Sequence, residues 1–213
     1  CKRFNQVVSN SKRTLSNFCI KFNGNKTNTE WIGSRKYSKI FIESRFGETF
    51  YPNYSSIADS VHHLTLRFQS SDQEFLRTVF EIFKNVKKLE LYIYSHGNNR
   101  TNDGNVAQPL PELKVEEIFI HQCFQSSEET STLHLNNSTC SRLKKITLQF
   151  FFDPDNKIKD FLISQDNLKE LIFTNYLIKH NLFDDEQLSM AKFNLKKLSL
   201  SHFTYTEDQQ LNF

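Results

Sequence analysis

The stretch VKKLEL, residues 86–91, contains a pattern that recurs from one end of the chain to the other. In this pattern an apolar residue precedes two polar residues and then an apolar–x–apolar triplet. Seven clear copies share it, at residues 37–42, 61–66, 86–91, 115–120, 143–148, 168–173 and 195–200. LSNFCI, residues 15–20, fits as a degenerate first copy. The chain is therefore expected to be built from repeats.

The spacing of the copies indicates a solenoid. The first apolar residue of the triplet falls at Ile40, Leu64, Leu89, Ile118, Ile146, Leu171 and Leu198, so successive copies are 24, 25, 29, 28, 25 and 27 residues apart. Alternating apolar residues predict a short strand with one buried face. A unit this short cannot bury that face alone, so it has to stack on its neighbours.

Three segments between the copies have helical patterns, at residues 70–85, 153–167 and 184–193. Ser71 and Glu74 have capping-box spacing, and Asp153 precedes a proline at the first helical position. The residues expected to face inward are Phe75, Leu76, Val79, Phe80, Phe83, Ile158, Phe161, Leu162, Leu188, Ala191 and Phe193. The sequence thus predicts an α/β fold. It would be a curved solenoid with a parallel β-sheet on the concave face and helices or irregular segments on the convex face.

Two polar stretches, residues 94–113 and 121–140, interrupt the rhythm and are expected to be inserted loops.

Composition suits a folded protein with a large core, since 24% of the 213 residues are charged and 21 are Phe. A net charge of +3 gives no indication of nucleic-acid binding, and no apolar run is long enough to span a membrane. The four cysteines include no CxxC pair, which favours a reduced intracellular protein. Asn-x-Ser/Thr triplets, such as those at Asn25 and Asn53, keep a secreted protein open as an alternative.

No pattern of catalytic, cofactor-binding or metal-binding residues is present, so we expect neither an enzyme nor a cofactor or metal site. His62 and His63 are adjacent on a predicted strand, which directs their side chains to opposite faces. The acidic run 184–186 suits a helix N-terminus, and nothing marks Cys140 as an activated thiolate.

The strand residues that alternate with the buried ones form the candidate binding surface. Charged, aromatic and short polar side chains alternate there, as is typical of protein-recognition surfaces. The predicted contact residues are Lys39, Phe41, His63, Thr65, Arg67, Lys88, Glu90, Tyr92, Glu117, Phe119, His121, Lys145, Thr147, Gln149, Glu170, Ile172, Lys197 and Ser199. We expect a protein substrate to bind there; the alternative is a solvated face whose lysines only keep the sheet soluble.

The repeat pattern resembles that of leucine-rich-repeat proteins over about residues 13–205. In that family an Asn or Cys follows three residues after the second strand leucine, and Cys123 fits this position. The equivalent positions in other copies hold Gln69, Tyr94, Phe151, Tyr176 and Phe203. We expect the aromatic residues to fill this column by packing.

The opening stretch CKRFNQVVSNSKRTL, residues 1–15, resembles the last helix and exit of an F-box. Cys1, Arg3, Phe4, Val7 and Val8 carry the resemblance, and the apolar ones lie at helical spacing. It implies two domains: an F-box remnant over residues 1–12 and a leucine-rich-repeat solenoid of about seven to eight irregular repeats over residues 13–213. Phe4, Val7 and Val8 would lie next to an adaptor protein.

The combined resemblance implies the substrate-binding arm of an SCF-type ubiquitin ligase receptor, in the cytoplasm or nucleus. A Skp-type adaptor would bind the main part of the F-box, which would precede Cys1, and the solenoid would hold the substrate for ubiquitin-dependent degradation. The alternative is a leucine-rich-repeat interaction protein unrelated to ubiquitin, either an intracellular adaptor or a secreted recognition domain. The final stretch TYTEDQQLNF shows no polar capping repeat, which is compatible with an array that is cut off there.

Overall fold

The computed structural model describes residues 19–23, 37–43, 55–69, 73–94, 110–123, 140, 142–149, 157–175, 177–178, 194–201 and 204–205. Ten strands and three short helices occur in this part of the chain. In order they are β1 (Cys19–Asn23), β2 (Lys39–Glu43), α1 (Ser55–Ala58), β3 (His63–Gln69), α2 (Gln73–Ile82), β4 (Lys88–Tyr94), β5 (Glu117–Cys123), β6 (Lys145–Gln149), α3 (Lys157–Ile163), β7 (Glu170–Thr174), β8 (Leu177–Ile178), β9 (Lys197–Ser201) and β10 (Thr204–Tyr205).

Eight of these strands form one parallel sheet in the order β1-β2-β3-β4-β5-β6-β7-β9. Equivalent residues of successive copies are paired; Ile40, for example, lies opposite Leu64, and Leu64 lies opposite Leu89. Each of the seven clear copies contributes one strand. The prediction of a solenoid with a parallel sheet is therefore confirmed.

The first strand corrects the predicted register of the degenerate copy. The pattern in residues 15–20 aligned Phe18 with the first apolar position of the other copies, whereas the sheet pairs Ile20 with Ile40 and Phe22 with Ile42. The copy is thus displaced by two residues. Because a two-residue shift preserves the alternation of a strand, the sequence pattern cannot distinguish the two registers.

A ladder of shared carbonyl groups joins the copies just before their strands. The carbonyl oxygen of the residue preceding each strand from β2 to β7 accepts hydrogen bonds from two successive N–H groups of the next copy, at 2.7–3.1 Å. The accepting residues are Ser38, His62, Lys87, Glu116, Lys144 and Lys169. These bonds fix the register before the strands begin and satisfy polar backbone groups beside the core.

Side chains from the pattern's three apolar positions form the core. In the copies from residue 37 to residue 173, every side chain at these three positions is at most 4% exposed. Ile158, Phe161 and Leu162 of α3 are also buried, as are the five predicted inward residues of residues 70–85. Those two helix predictions are confirmed, with α2 and α3 shorter than the patterns. Helix α1 was not predicted; at four residues it is too short to show helical periodicity.

The strands before the two predicted loops extend into the predicted ranges, since β4 ends at Tyr94 and β5 at Cys123, while loop residues 95–109 and 124–139 lie outside the described part of the chain. After β7, Asn175 adopts a left-handed conformation with φ of 51°, and its N–H donates to the carbonyl of Ser201 at 2.9 Å. Asparagine tolerates this conformation better than most residues. Strands β8 and β10 then form a separate two-stranded parallel sheet.

Several predictions lie outside the described residues: the F-box remnant with Phe4, Val7 and Val8, the helix at 184–193, the caps at Ser71 and Asp153, and the aromatic positions Phe151, Tyr176 and Phe203. No helix in the described ranges is long and apolar enough to cross a membrane.

Candidate protein-recognition face

All the predicted contact residues lie on the sheet face opposite the core, here called the outer face. Along strands β2, β4, β6 and β7, buried and more exposed residues alternate. The side chains at the first, third and fifth positions are the more exposed ones, and they point away from the core. Residues at the same position of neighbouring strands form rows that run across the sheet. The predicted contact residues of the first row are Lys39, His63, Lys88, Glu117, Lys145, Glu170 and Lys197, and those of the second row are Phe41, Thr65, Glu90, Phe119, Thr147, Ile172 and Ser199. Those of the third row are Arg67, Tyr92, His121 and Gln149.

Glu90 is the centre of a polar cluster on β3 and β4. Its Oε1 lies 2.9 Å from Nε2 of His63 and 3.1 Å from Nζ of Lys88. The His63 contact is close enough for an ion pair, although its geometry is poor for a hydrogen bond. The hydroxyl of Thr65 donates to the other carboxylate oxygen of Glu90 at 3.0 Å. Three side chains thus hold this carboxylate in one position.

These contacts stabilise the charged form of Glu90. The contact with His63 is the largest cause that lowers its pKa, and Lys88 and Thr65 lower it further, so that the pKa falls to about 2 although partial burial opposes the shift. Thr65 itself was predicted to be presented to a partner, but it is only 4% exposed. It is correctly placed on the outer face, and its structural role is to support Glu90.

An aromatic cluster lies beside Glu90 on β4 and β5. The ring of Tyr92 lies 5.7 Å from that of Phe119 and 5.4 Å from that of His121, and the Phe119 and His121 rings are 6.4 Å apart. All three side chains are partly exposed. Burial raises the pKa of Tyr92, as does the charge of Glu90. The sheet thus presents a half-exposed apolar patch next to a fixed carboxylate.

Arg67, the register partner of Tyr92, contacts two residues that were not predicted as contact residues. Its guanidinium lies 3.4 Å from Oε1 of Glu43 on β2 and 5.6 Å from the ring centroid of Tyr94 on β4. Glu43 occupies the third row, and extending that row to β2 would have found it. Tyr94 was expected to fill the column of the leucine-rich-repeat Asn or Cys; it lies instead on the outer face, because it follows Tyr92 by two residues.

Charges of the first row alternate in sign from β4 to β9, through Lys88, Glu117, Lys145, Glu170 and Lys197. Nζ of Lys145 lies 3.6 Å from Oε2 of Glu170. Just before the strands, Lys144 contacts Glu116 at 2.7 Å and lowers its pKa. Opposite charges on neighbouring strands favour the observed register over alternatives.

Other candidate chemistry is not assembled in the part of the chain that the structure describes. His62 is exposed and lies near the carbonyl of Asn85, while His63 is on the outer face, so the two rings diverge as predicted. No group of three or more potential metal ligands occurs among the described residues. Cys140 is a buried free thiol whose pKa is raised to about 12 by burial.

Comparisons with known proteins give no relative from which a function can be transferred, since no protein-family model, curated protein or solved structure matches the chain.

Proposed function

We propose that this chain is the recognition arm of a protein-binding scaffold and that the outer face holds the partner. The aromatic cluster of Tyr92, Phe119 and His121 carries this proposal. Aromatic side chains beside an arginine are typical of the few residues that dominate binding energy at protein interfaces. Rows of charged residues around them supply a polar rim.

Preorganisation supports the same function. Glu90 is held by His63, Lys88 and Thr65, and Arg67 is held between Glu43 and Tyr94. Side chains that are already fixed lose little rotamer entropy when a partner binds. A solvated face that only kept the protein soluble would not require charges that are held by neighbouring strands.

We place the scaffold among leucine-rich-repeat proteins. The 24- to 29-residue period, the single parallel strand in each copy and the helices between several strands support this assignment. The outer face would then be the concave surface, which is the usual binding surface of such arrays.

Within that class we propose a substrate receptor of an SCF-type ubiquitin ligase, which works in the cytoplasm or nucleus. The F-box resemblance of residues 1–12 supports it. A receptor of this kind needs no catalytic residue and no cofactor. It acts by raising the effective concentration of the substrate near the ligase, with a Skp-type adaptor bound through the F-box.

Two measurements on the natural full-length protein test the proposal. If the outer face binds the partner, proteins that co-purify with the wild type should be lost from a Tyr92→Ala/Phe119→Ala variant. A Glu81→Ala variant, which changes an exposed residue on α2, should retain them. The ligase part predicts co-purification with a Skp-type adaptor, both for the wild type and for the outer-face variant. Absence of the adaptor would refute the ligase assignment and leave the recognition face to be judged by the first result.

A further inference from the structure

The last strand of the sheet exposes two residues that belong to core columns. Leu198 and Leu200 of β9 are 50% and 47% exposed, whereas Leu171 and Phe173, their partners on β7, are 4% and 0% exposed. Strand β9 lies at the edge of the sheet. A parallel edge with uncovered leucines is a template for one more strand.

The carbonyl ladder continues to this edge. In six successive steps, the residue before a strand accepts two hydrogen bonds from the start of the next copy. Lys196 occupies the same position before β9, and no described residue donates to its carbonyl oxygen. The backbone at this edge therefore offers the acceptor that the six preceding clear copies use to place their neighbours.

Charge adds a requirement for the next strand. The first row alternates between basic and acidic residues from Lys88 to Lys197, and Lys197 at the edge is exposed. Continuing the alternation places an acidic residue opposite Lys197. A second copy of this chain would not supply one through β1, the strand at the other edge of the described sheet, because β1 has Cys19 at this position.

We propose that the outer edge of β9 binds an extended segment of a partner protein with the pattern acidic–apolar–x–apolar. The segment lies parallel to β9, with its acidic residue facing Lys197 and its apolar residues covering Leu198 and Leu200. Two successive N–H groups at its start donate to the carbonyl oxygen of Lys196. In strand addition of this kind the backbone bonds provide affinity, and the alternate side chains provide specificity. This site is on the sheet edge, and Lys197, at the end of the first row, is the one residue that it shares with the predicted contact residues of the outer face.

A peptide copied from the chain itself provides the probe. Residues 115–122, VEEIFIHQ, place Glu117, Ile118 and Ile120 at the required positions. We would label this peptide with a fluorophore and measure its binding to the full chain by fluorescence anisotropy. Saturable binding is expected. Lys197→Glu should weaken it about tenfold, and Leu198→Asp should abolish it.

A charge swap makes the test specific. A peptide with Glu117→Lys should bind the wild-type chain about tenfold more weakly and should recover affinity with the Lys197→Glu chain. Lys84→Glu is the matched control, because it makes the same charge change at an exposed position far from β9 in sequence. It should leave the affinity of the chain for the peptide unchanged. The proposal is overturned if the swap gives no recovery. It is equally overturned if a chain that unfolds cooperatively, and is therefore folded, shows no saturable binding.

Discussion

Nε2 of His63 lies 2.9 Å from Oε1 of Glu90 on the adjacent strand, and the same carboxylate also contacts Lys88 and Thr65. Side chains from two consecutive copies of the repeat therefore fix one charge on a face that is otherwise open to solvent. Stacking of copies thus organises the outer face as well as the core, and both consequences can be measured.

Replacing Glu90 with Gln should destabilise the protein in a pH-dependent manner. A carboxyl whose pKa falls from 4.5 to about 2 stabilises the folded state above pH 4.5, and this contribution is lost as the pH falls towards 2. The side chain is 17% exposed, and solvent screening weakens its interactions. We therefore expect Glu90→Gln to lower the free energy of unfolding near neutral pH by about 1–2 kcal/mol, which is less than the pKa shift alone implies. Urea unfolding at a series of pH values should show the difference from wild type narrowing below pH 4.5.

Thr65→Val is the control for this experiment, since it leaves the carboxylate in place and removes one of its hydrogen bonds. We expect a smaller loss, of about 1 kcal/mol, over the same pH range. A difference between Glu90→Gln and wild type that stayed constant down to pH 2 would show that the Glu90 contacts do not stabilise its charged form.

Two leucines in the same column should respond very differently to truncation. Leu89→Ala removes a fully buried side chain and should reduce the free energy of unfolding by about 2–5 kcal/mol. Leu198→Ala removes one that is 50% exposed and should reduce it by about 1 kcal/mol or less. Denaturant unfolding of both variants measures the contrast. Equal losses would mean that β9 is covered in solution as fully as the inner strands.

The sequence was sufficient to predict the strands of the seven clear copies, their parallel stack and the buried columns, because each depends on the period and on alternation; it gave no sign of the short strands β8 and β10. It misplaced the first copy, since a shift of two residues leaves alternation unchanged. It listed Thr65 as a presented residue, because exposure depends on the neighbouring Glu90 rather than on strand position. The contacts of Arg67 with Glu43 and Tyr94 likewise depend on which rotamers neighbouring strands allow.

Cys140 should be unreactive in the folded protein. Its thiol is buried and its pKa is raised to about 12, so the thiolate that reacts with alkylating reagents is scarce at pH 8. Treatment with iodoacetamide, followed by peptide mass spectrometry, should find Cys140 unmodified in native buffer and fully modified in denaturant. Rapid modification in native buffer would contradict the burial of this residue.

The Tyr92→Ala/Phe119→Ala variant should remain folded. Both rings are partly exposed and contact each other on the outer face, so their removal leaves the core columns intact. We expect a loss of about 1–3 kcal/mol with a cooperative transition. Circular dichroism during thermal unfolding tests this, and a non-cooperative transition would show that the aromatic cluster is required for the fold.

Site-specific photocrosslinking can show whether a partner binds the outer face. A photoreactive phenylalanine analogue placed at position 119, on the outer face, is compared with the same group at position 81, on the exposed side of α2. We predict that a co-purifying partner crosslinks to position 119 and not to position 81. If the same partner co-purifies but crosslinks only to position 81, the partner does not bind the outer face.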